Sequence, residues 1–244
     1  MAKHIWHGVG MISSGGVHAY LLDGGADGSV LIDTGYPDKV NQIVDGIRNL
    51  GRQVDDVKHI VLTHAHPDHI GGLAELAKAT GAQTWMQEVD APIAEKGSGF
   101  RYLKRAPELV PSLLYRMVYK PGGTVPAAKI DHKVKGGDIL PIAGGLRAIH
   151  VPGHCAGQIA LLWETRRALF AADVCTNILG LNSPVGYEDE AAGRRSQKTL
   201  CEYDYDLACF GHGSPLIGDA ANKMRRQWLK EAPSEEGAGP GAPH

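Results

Sequence analysis

Several features are scarce or missing in this sequence of 244 residues, and each absence excludes a class of protein. There are only four cysteines, and none has the Cys-x-x-Cys spacing of zinc ribbons or thioredoxin-like redox sites. No apolar run approaches the roughly 20 residues that a membrane-spanning helix needs. The formal net charge is −2, which gives no overall attraction to nucleic acid or to an anionic membrane. We therefore expect a globular protein without a nucleic-acid or membrane partner.

The start of the chain and its cysteines favour a cytoplasmic protein. The first eight residues contain no apolar signal-peptide core. Because a reducing compartment keeps cysteines unpaired, we expect four free thiols, which are Cys155, Cys175, Cys201 and Cys209. A serine mechanism is disfavoured, since the chain has no Gly-x-Ser-x-Gly elbow.

The composition indicates one globular domain. Hydrophobic residues make up 43% of the chain and charged residues 21%, values that are ordinary for such a domain. A chain of this length can bury a substantial core. We expect a single domain over residues 1–230. Residues 231–244 have no large apolar side chain, so we expect a disordered tail there.

A dense group of metal-ligand side chains lies between positions 63 and 72. Within six consecutive residues it contains His64, His66, Asp68 and His69. The residues before the group predict a buried strand, and those after it predict an amphipathic helix that Gly81 ends. Imidazole nitrogens and carboxylate oxygens are ligands of zinc and similar divalent metals. The pattern therefore indicates a metal site on a strand-to-helix turn.

Three further metal-type residues follow apolar stretches later in the chain. They are His154, Asp173 and His212. In layered α/β proteins, ligands gather on loops at strand ends, where a rigid sheet holds them. We therefore expect these three side chains to join the earlier group.

With these residues in this order, the chain resembles the metallo-β-lactamase-fold hydrolases, in their glyoxalase II and lactonase-like branch. The family's His-x-His-x-Asp-His motif matches residues 64–69, and its later ligands match His154, Asp173 and His212. The family's early strand-end motif matches residues 31–35, with Asp33 as its aspartate. The resemblance implies an α/β fold, a four-layer αβ/βα sandwich with metals at one edge between two sheets.

The resemblance also implies how the ligands are shared between two zinc ions, with iron or manganese as possible substitutes. One metal would be held by His64, His66 and His154, and the second by Asp68, His69 and His212. Asp173 would bridge both metals, Asp68 would carry a proton, and Asp33 would orient a ligand histidine. A hydroxide that bridges the metals would attack the substrate. Cys155 is expected to be a buried thiol packed beneath this site rather than a nucleophile.

Several reactions remain open at this point. The main expectation is hydrolysis of a small ester, lactone or thioester. Alternatives are a non-haem iron oxygenase or redox protein on the same scaffold, or a phosphodiesterase or β-lactamase-type hydrolase. Thr176 stands where related acyl-homoserine lactonases have tyrosine, which disfavours that lactonase group.

The segment from about 92 to 126 looks like an insertion. Apolar residues at 110, 113, 114, 117 and 118 have helical spacing. Between Glu95 and Lys120 there are six basic and two acidic residues. Two interpretations follow: a lid that covers an acyl or aromatic substrate, or a solvated helix or contact surface of a homodimer.

Overall fold

The computed structural model describes residues 1–98, 101–119 and 123–229. The expected tail over 231–244 lies outside the described residues, as do Phe100 and Lys120 of the insertion.

The strands form two large sheets and one small one. In chain order the strands of the described ranges are β1 (Ala2–Trp6), β2 (Val9–Ser14), β3 (Val17–Asp23), β4 (Ser29–Ile32), β5 (Val57–Leu62), β6 (Gln83–Gln87), β7 (Lys104–Arg105), β8 (His132–Val134), β9 (Ile139–Leu140), β10 (Leu146–His150), β11 (Ile159–Trp163), β12 (Ala168–Phe170), β13 (Gly186–Tyr187), β14 (Leu207–Cys209) and β15 (Leu216–Ile217).

The first sheet has the order β1-β2-β3-β4-β5-β6-β8, and the second has the order β15-β14-β12-β11-β10-β9. In the first sheet, β4, β5, β6 and β8 run parallel to one another, whereas β1 to β4 are antiparallel. In the second sheet, β12 and β14 are parallel, and the other pairs are antiparallel.

Helices pack on the outer faces of the two large sheets and against the small one. They are α1 (Val40–Asn49), α2 (Pro67–Ile70), α3 (Leu73–Thr80), α4 (Ala91–Glu95), α5 (Leu109–Val118), α6 (Glu190–Leu200) and α7 (Ala220–Trp228). The core between the sheets joins residues such as Val30 and Val61 to Leu161 and Phe170. A second core packs α1, α3 and α4 on the first sheet, and a third packs α6 and α7 on the second. The expected four-layer αβ/βα sandwich is confirmed.

Local patterns account for most of these elements. The predicted helix after the histidine group is α3, and Gly81 ends it in the left-handed conformation with φ of 66°. The four residues of β4 and the five of β11 are all buried, as continuous apolar runs predict for strands covered on both faces. All four cysteines are free and buried, as expected. No helix in the described ranges is long and apolar enough to cross a membrane.

The insertion forms α4, β7 and α5. The helical spacing over 110–118 is confirmed by α5, in which Pro111 is buried. Its apolar side chains Leu113 and Met117 face solvent, with exposed fractions of 58% and 71%. β7 pairs with β13 in a two-stranded sheet, which attaches the insertion to the second half of the chain.

Candidate metal centre

The loops that carry the expected ligands leave neighbouring strand ends. His64 and His66 follow β5, and His69 lies in α2 immediately afterwards. Asp173 follows β12 and His212 follows β14. Because β12 and β14 are parallel, their carboxyl ends meet at one edge of the second sheet. The first sheet presents β5 at the same end of the sandwich, so the seven side chains converge between the sheets.

Three histidines form one group. His64 Nε2 and His154 Nε2 each lie 3.0 Å from His66 Nδ1. All three side chains are buried. The Cys155 sulfur lies 3.5 Å from His66 Nε2, so this thiol is close enough to belong to the same group of potential ligands.

The second group combines two carboxylates and two histidines. His212 Nε2 lies 3.3 Å from Asp68 Oδ2 and 3.3 Å from Asp173 Oδ2. His69 Nε2 lies 3.8 Å from Asp68 Oδ2 and 3.7 Å from Asp173 Oδ1. Asp173 Oδ2 is also 3.6 Å from His154 Nε2. Asp173 therefore stands between the two groups, where a bridging ligand must be.

Hydrogen bonds on the outer side of the rings set the direction of their free nitrogens. His69 Nδ1 lies 2.8 Å from Asp33 Oδ2, and His154 Nδ1 lies 2.8 Å from the carbonyl oxygen of Gly186. His212 Nδ1 is 2.9 Å from the carbonyl oxygen of Gly16. These oxygens can only accept, so each Nδ1 donates its proton, and each Nε2 is left facing inward.

The inward-facing atoms fit divalent metals. His69 Nε2 and Asp173 Oδ1 are buried and have no hydrogen-bond partner in the described part of the chain. Buried polar atoms without a partner are costly, and a cation would satisfy them. A tetrahedral zinc with bonds of about 2.05 Å separates its ligand atoms by roughly 3.3 Å. The observed separations of 3.0 to 3.8 Å lie close to that value.

The electrostatics favour ligation as well. Burial and the neighbouring histidines lower the pKa of His64 and His66 well below the usual value, which keeps both rings neutral. Burial opposes ionisation of Asp173, but His212 and His69 hold its pKa well below the usual range. Metal ligands must be deprotonated, and these directions favour the ligating forms of His64, His66 and Asp173. Burial opposes protonation of His69 and His212, but the neighbouring Asp68 and Asp173 raise the pKa of both rings, so a bound metal would have to displace a proton from each.

Asp33, which the sequence predicted to orient a ligand histidine, lies beside the His69 ring. Its other oxygen accepts the backbone N–H of Thr63 at 2.9 Å. One carboxylate thus joins the start of the histidine loop to the ring of His69. Asp33 has a φ of 59°, a left-handed conformation that aspartate tolerates better than most residues.

Sequence reasoning missed three charged residues behind the centre. Asp90 is fully buried, and its Oδ2 accepts the backbone N–H of Ala65 at 2.8 Å. Arg101 forms ion pairs with Asp90 and Glu188. A signal existed for Asp90, because it closely follows β6, the parallel neighbour of β5. No local pattern marked Arg101 or Glu188.

Comparison with known proteins agrees with this geometry. The family described as the Metallo-beta-lactamase superfamily matches residues 13–212. The chain belongs to this superfamily. Its centre of histidine and aspartate side chains is in keeping with a metal-dependent family.

Relatives of the chain include proteins named as hydrolases. A lactamase-like protein, aptB, of Emericella nidulans is 28% identical over 86% of this chain. A hydroxyacylglutathione hydrolase of Rhodopseudomonas palustris is 31% identical over 53% of it, and the thioesterase pkgB of Emericella nidulans is 25% identical over 89%. The chain spans 55%, 38% and 52% of the lengths of these three relatives.

Solved structures show the same fold. The metallo-β-lactamase MIM-2 superposes with a TM-score of 0.71, at 24% identity, over 93% of this chain and 85% of that one. The subclass B3 enzyme BJP-1 of Bradyrhizobium japonicum gives 0.67, at 24% identity, over 91% of this chain and 88% of its own. These likenesses establish the architecture of this superfamily member.

Proposed function

We propose that this metallo-β-lactamase superfamily member is a dinuclear zinc hydrolase that cleaves an activated acyl bond, with a thioester favoured over an ester or a lactone. One observation carries the proposal: two groups of ligand atoms share Asp173, whose two oxygens face His69, His154 and His212. This arrangement would accept two metals, whereas a one-metal site has no use for a carboxylate in that position.

The choice of bond follows from the relatives. Two of them are named as a hydroxyacylglutathione hydrolase and a thioesterase. The similarity to β-lactamases is one of fold, and it carries no substrate. Thr176 is buried and its backbone pairs with Asn182. It offers no tyrosine hydroxyl where the related lactonases have one, which weakens the lactone alternative.

Metals bound in this centre would act as Lewis acids and would lower the pKa of bound water towards neutrality. The roles of the residues follow from their contacts. Asp68 Oδ2 faces His69 and His212, and the side chain remains 18% exposed. Its other oxygen can therefore take a proton and deliver it to the leaving group. Asp33 keeps the His69 ring fixed through the Nδ1 proton.

A substrate screen with metal-replete protein tests the proposal. It should compare thioesters, aryl esters, lactones, phosphodiesters and β-lactams at equal concentration. We expect the largest kcat/KM for thioesters, and loss of that activity after chelation with recovery on adding zinc. A preference for phosphodiesters or β-lactams, or thioester cleavage that survives chelation, would contradict the proposal.

A further inference from the structure

A buried ion-pair group lies behind the three-histidine half of the centre. It consists of Arg101, Asp90 and Glu188. The guanidinium of Arg101 contacts both carboxylates, and its side chain is only 8% exposed. The Asp90 side chain is fully buried. Burying charges is costly unless they are paired and also hydrogen-bonded, so the remaining oxygens of both carboxylates should have partners.

Those partners are backbone N–H groups of the two ligand loops. Asp90 Oδ2 accepts from Ala65, the residue between His64 and His66, at 2.8 Å. Asp90 Oδ1 accepts from Gly157 at 3.0 Å. Each oxygen of Asp90 thus holds one of the two loops that supply the three histidines.

Glu188 holds the loop of His154 from the other side. Its Oε2 accepts the backbone N–H of Ala156 at 2.6 Å. Its own backbone N–H donates to the carbonyl of Gly153 at 2.8 Å. At Gly157 the loop approaches so closely that an added Cβ would lie 2.3 Å from Asp90 Oδ1.

Arg101 connects this group to the insertion. The Tyr119 hydroxyl, just beyond α5, donates to the carbonyl of Arg101 at 3.2 Å and accepts from the backbone N–H of Leu103 at 3.2 Å. A continuous set of contacts therefore runs from the end of α5 through Arg101 to both ligand loops.

From these contacts we propose that Arg101 is a positioning residue, which acts through Asp90 and Glu188 to hold the loops of His64, His66 and His154 in ligand geometry. The inference rests on the proposed metal centre. It assigns to the insertion a role in setting the affinity of one metal position, in addition to any contact with substrate. Among the described residues, the second position, with Asp68, His69 and His212, has no hydrogen bond or ion pair to the ion-pair group.

Zinc binding to single-site proteins tests the proposal. His212→Ala should leave the three-histidine position, and His154→Ala should leave the other. Arg101→Gln, Arg101→Lys and the control Arg105→Gln are placed in each background, and zinc affinity is measured by competition with a chromophoric chelator. Arg105 is an exposed arginine of the same insertion, in β7.

In the His212→Ala background we expect Arg101→Gln to weaken zinc binding by about 10- to 100-fold, the usual effect of losing a residue that orients ligands. Arg101→Lys should fall between Gln and the parent, because lysine keeps the charge but cannot reach two carboxylates with a planar fork. Arg105→Gln should change nothing. In the His154→Ala background all three substitutions should leave affinity unchanged.

Equal weakening in both backgrounds would show a general effect on folding and would overturn the proposal, as would no weakening in either. Arg101→Lys keeps the test decisive if Arg101→Gln unfolds, and thermal unfolding of the metal-free proteins identifies that case. If His212→Ala itself binds no zinc, the proposed metal centre is wrong, and the proposed role of Arg101 is then wrong as well.

Discussion

Asp173 contacts both groups of candidate ligands, so its removal should affect both proposed metals at once. Asp173→Ala is expected to reduce metal content and to lower kcat by more than about 100-fold, because even residues behind the ligands cost 10- to 100-fold. Elemental analysis and hydrolysis of the best substrate provide the measurement. Asp206→Ala is the control, since that carboxylate pairs with Arg167 on the surface. Full activity in Asp173→Ala would rule out a bridging role.

Gly211 lies against the centre and cannot accept a side chain there. An added Cβ would lie 2.0 Å from Asp173 Oδ1 and 2.8 Å from His69 Cε1. We therefore expect Gly211→Ala to displace a ligand and to weaken metal binding by about 10-fold or more. Gly180→Ala is the control, because no atom lies within 4 Å of its added Cβ. Its φ of 87° strains an alanine, so thermal unfolding of both variants separates a loss of stability from a loss of metal affinity. Equal metal affinity for the two variants would contradict this expectation.

Cys155 is a further residue whose role can be measured separately. Burial raises the pKa of its thiol well above the usual value, which favours the neutral thiol in the metal-free protein. Cys155→Ser should keep metal content and most of the activity. Cobalt-substituted protein adds a direct readout, because a sulfur ligand would give a thiolate absorption band that the serine variant lacks. Loss of turnover in Cys155→Ser with both metals bound would instead show a direct role for the thiol.

The side chains of the candidate metal centre could be predicted from the sequence, whereas the charged residues that support its loops could not. His64, His66 and Asp68 lie on one short turn, and Asp33 ends a buried strand nearby. Metal-type side chains at strand ends are a local signal, so the structure brings the expected residues together. Arg101 and Glu188 are 87 positions apart, and their pairing depends on how the insertion folds back. The spacing of residues along the sequence does not predict a pair of this kind.

Among the elements, α5 allows a test of the lid interpretation. Leu113 and Met117 are exposed, so aspartate at both positions should not disturb the core. If α5 contacts the non-reacting part of the substrate, Leu113→Asp with Met117→Asp should raise KM for substrates with long acyl chains by about 10-fold or more, since each buried CH₂ contributes about 0.8 kcal/mol. Small esters should be less affected, and metal content should not change.

The pattern of KM values distinguishes the interpretations of α5. Equal loss for long and short substrates would exclude a lid. A change from dimer to monomer in size-exclusion chromatography would support the homodimer contact instead. Ser112→Asp together with Arg116→Gln serves as the control, because both are polar residues of the same helix and the two changes shift the charge by −2, as the two aspartates do.

Helix ends and short strands are the elements that the sequence predicts least well. Asp219 stands at the N-cap of α7 in the left-handed conformation, with φ of 54°. Its carboxylate accepts from the side chains of Asn222 and Arg226 instead of capping a backbone N–H. The two-residue strands β7 and β13 were not predicted, because such short pairings exist only through tertiary contact.

For the whole molecule, the proposed centre implies two metals per chain and a stability that depends on them. Replete protein should contain close to two zinc ions by elemental analysis. At a free zinc concentration of about 100 times Kd, each bound ion should contribute about 2.7 kcal/mol to the free energy of unfolding. Chelation should therefore lower Tm, and adding zinc should restore it. One metal or none in replete protein would exclude the dinuclear assignment, and iron in protein grown with both metals would favour the oxygenase alternative.

The ligands are divided between the two halves of the chain, and this division affects when the centre can form. His64 to His69 belong to the half of the chain that forms the first sheet and is synthesised first. His212 follows 143 residues later (212 − 69). At about 5–20 residues per second, this delay is roughly 7–30 s. During that time the nascent chain contains the histidine-rich turn but not yet His212. The proposed two-metal centre would therefore form only after β12 and β14 have been made and have brought Asp173 and His212 to this turn.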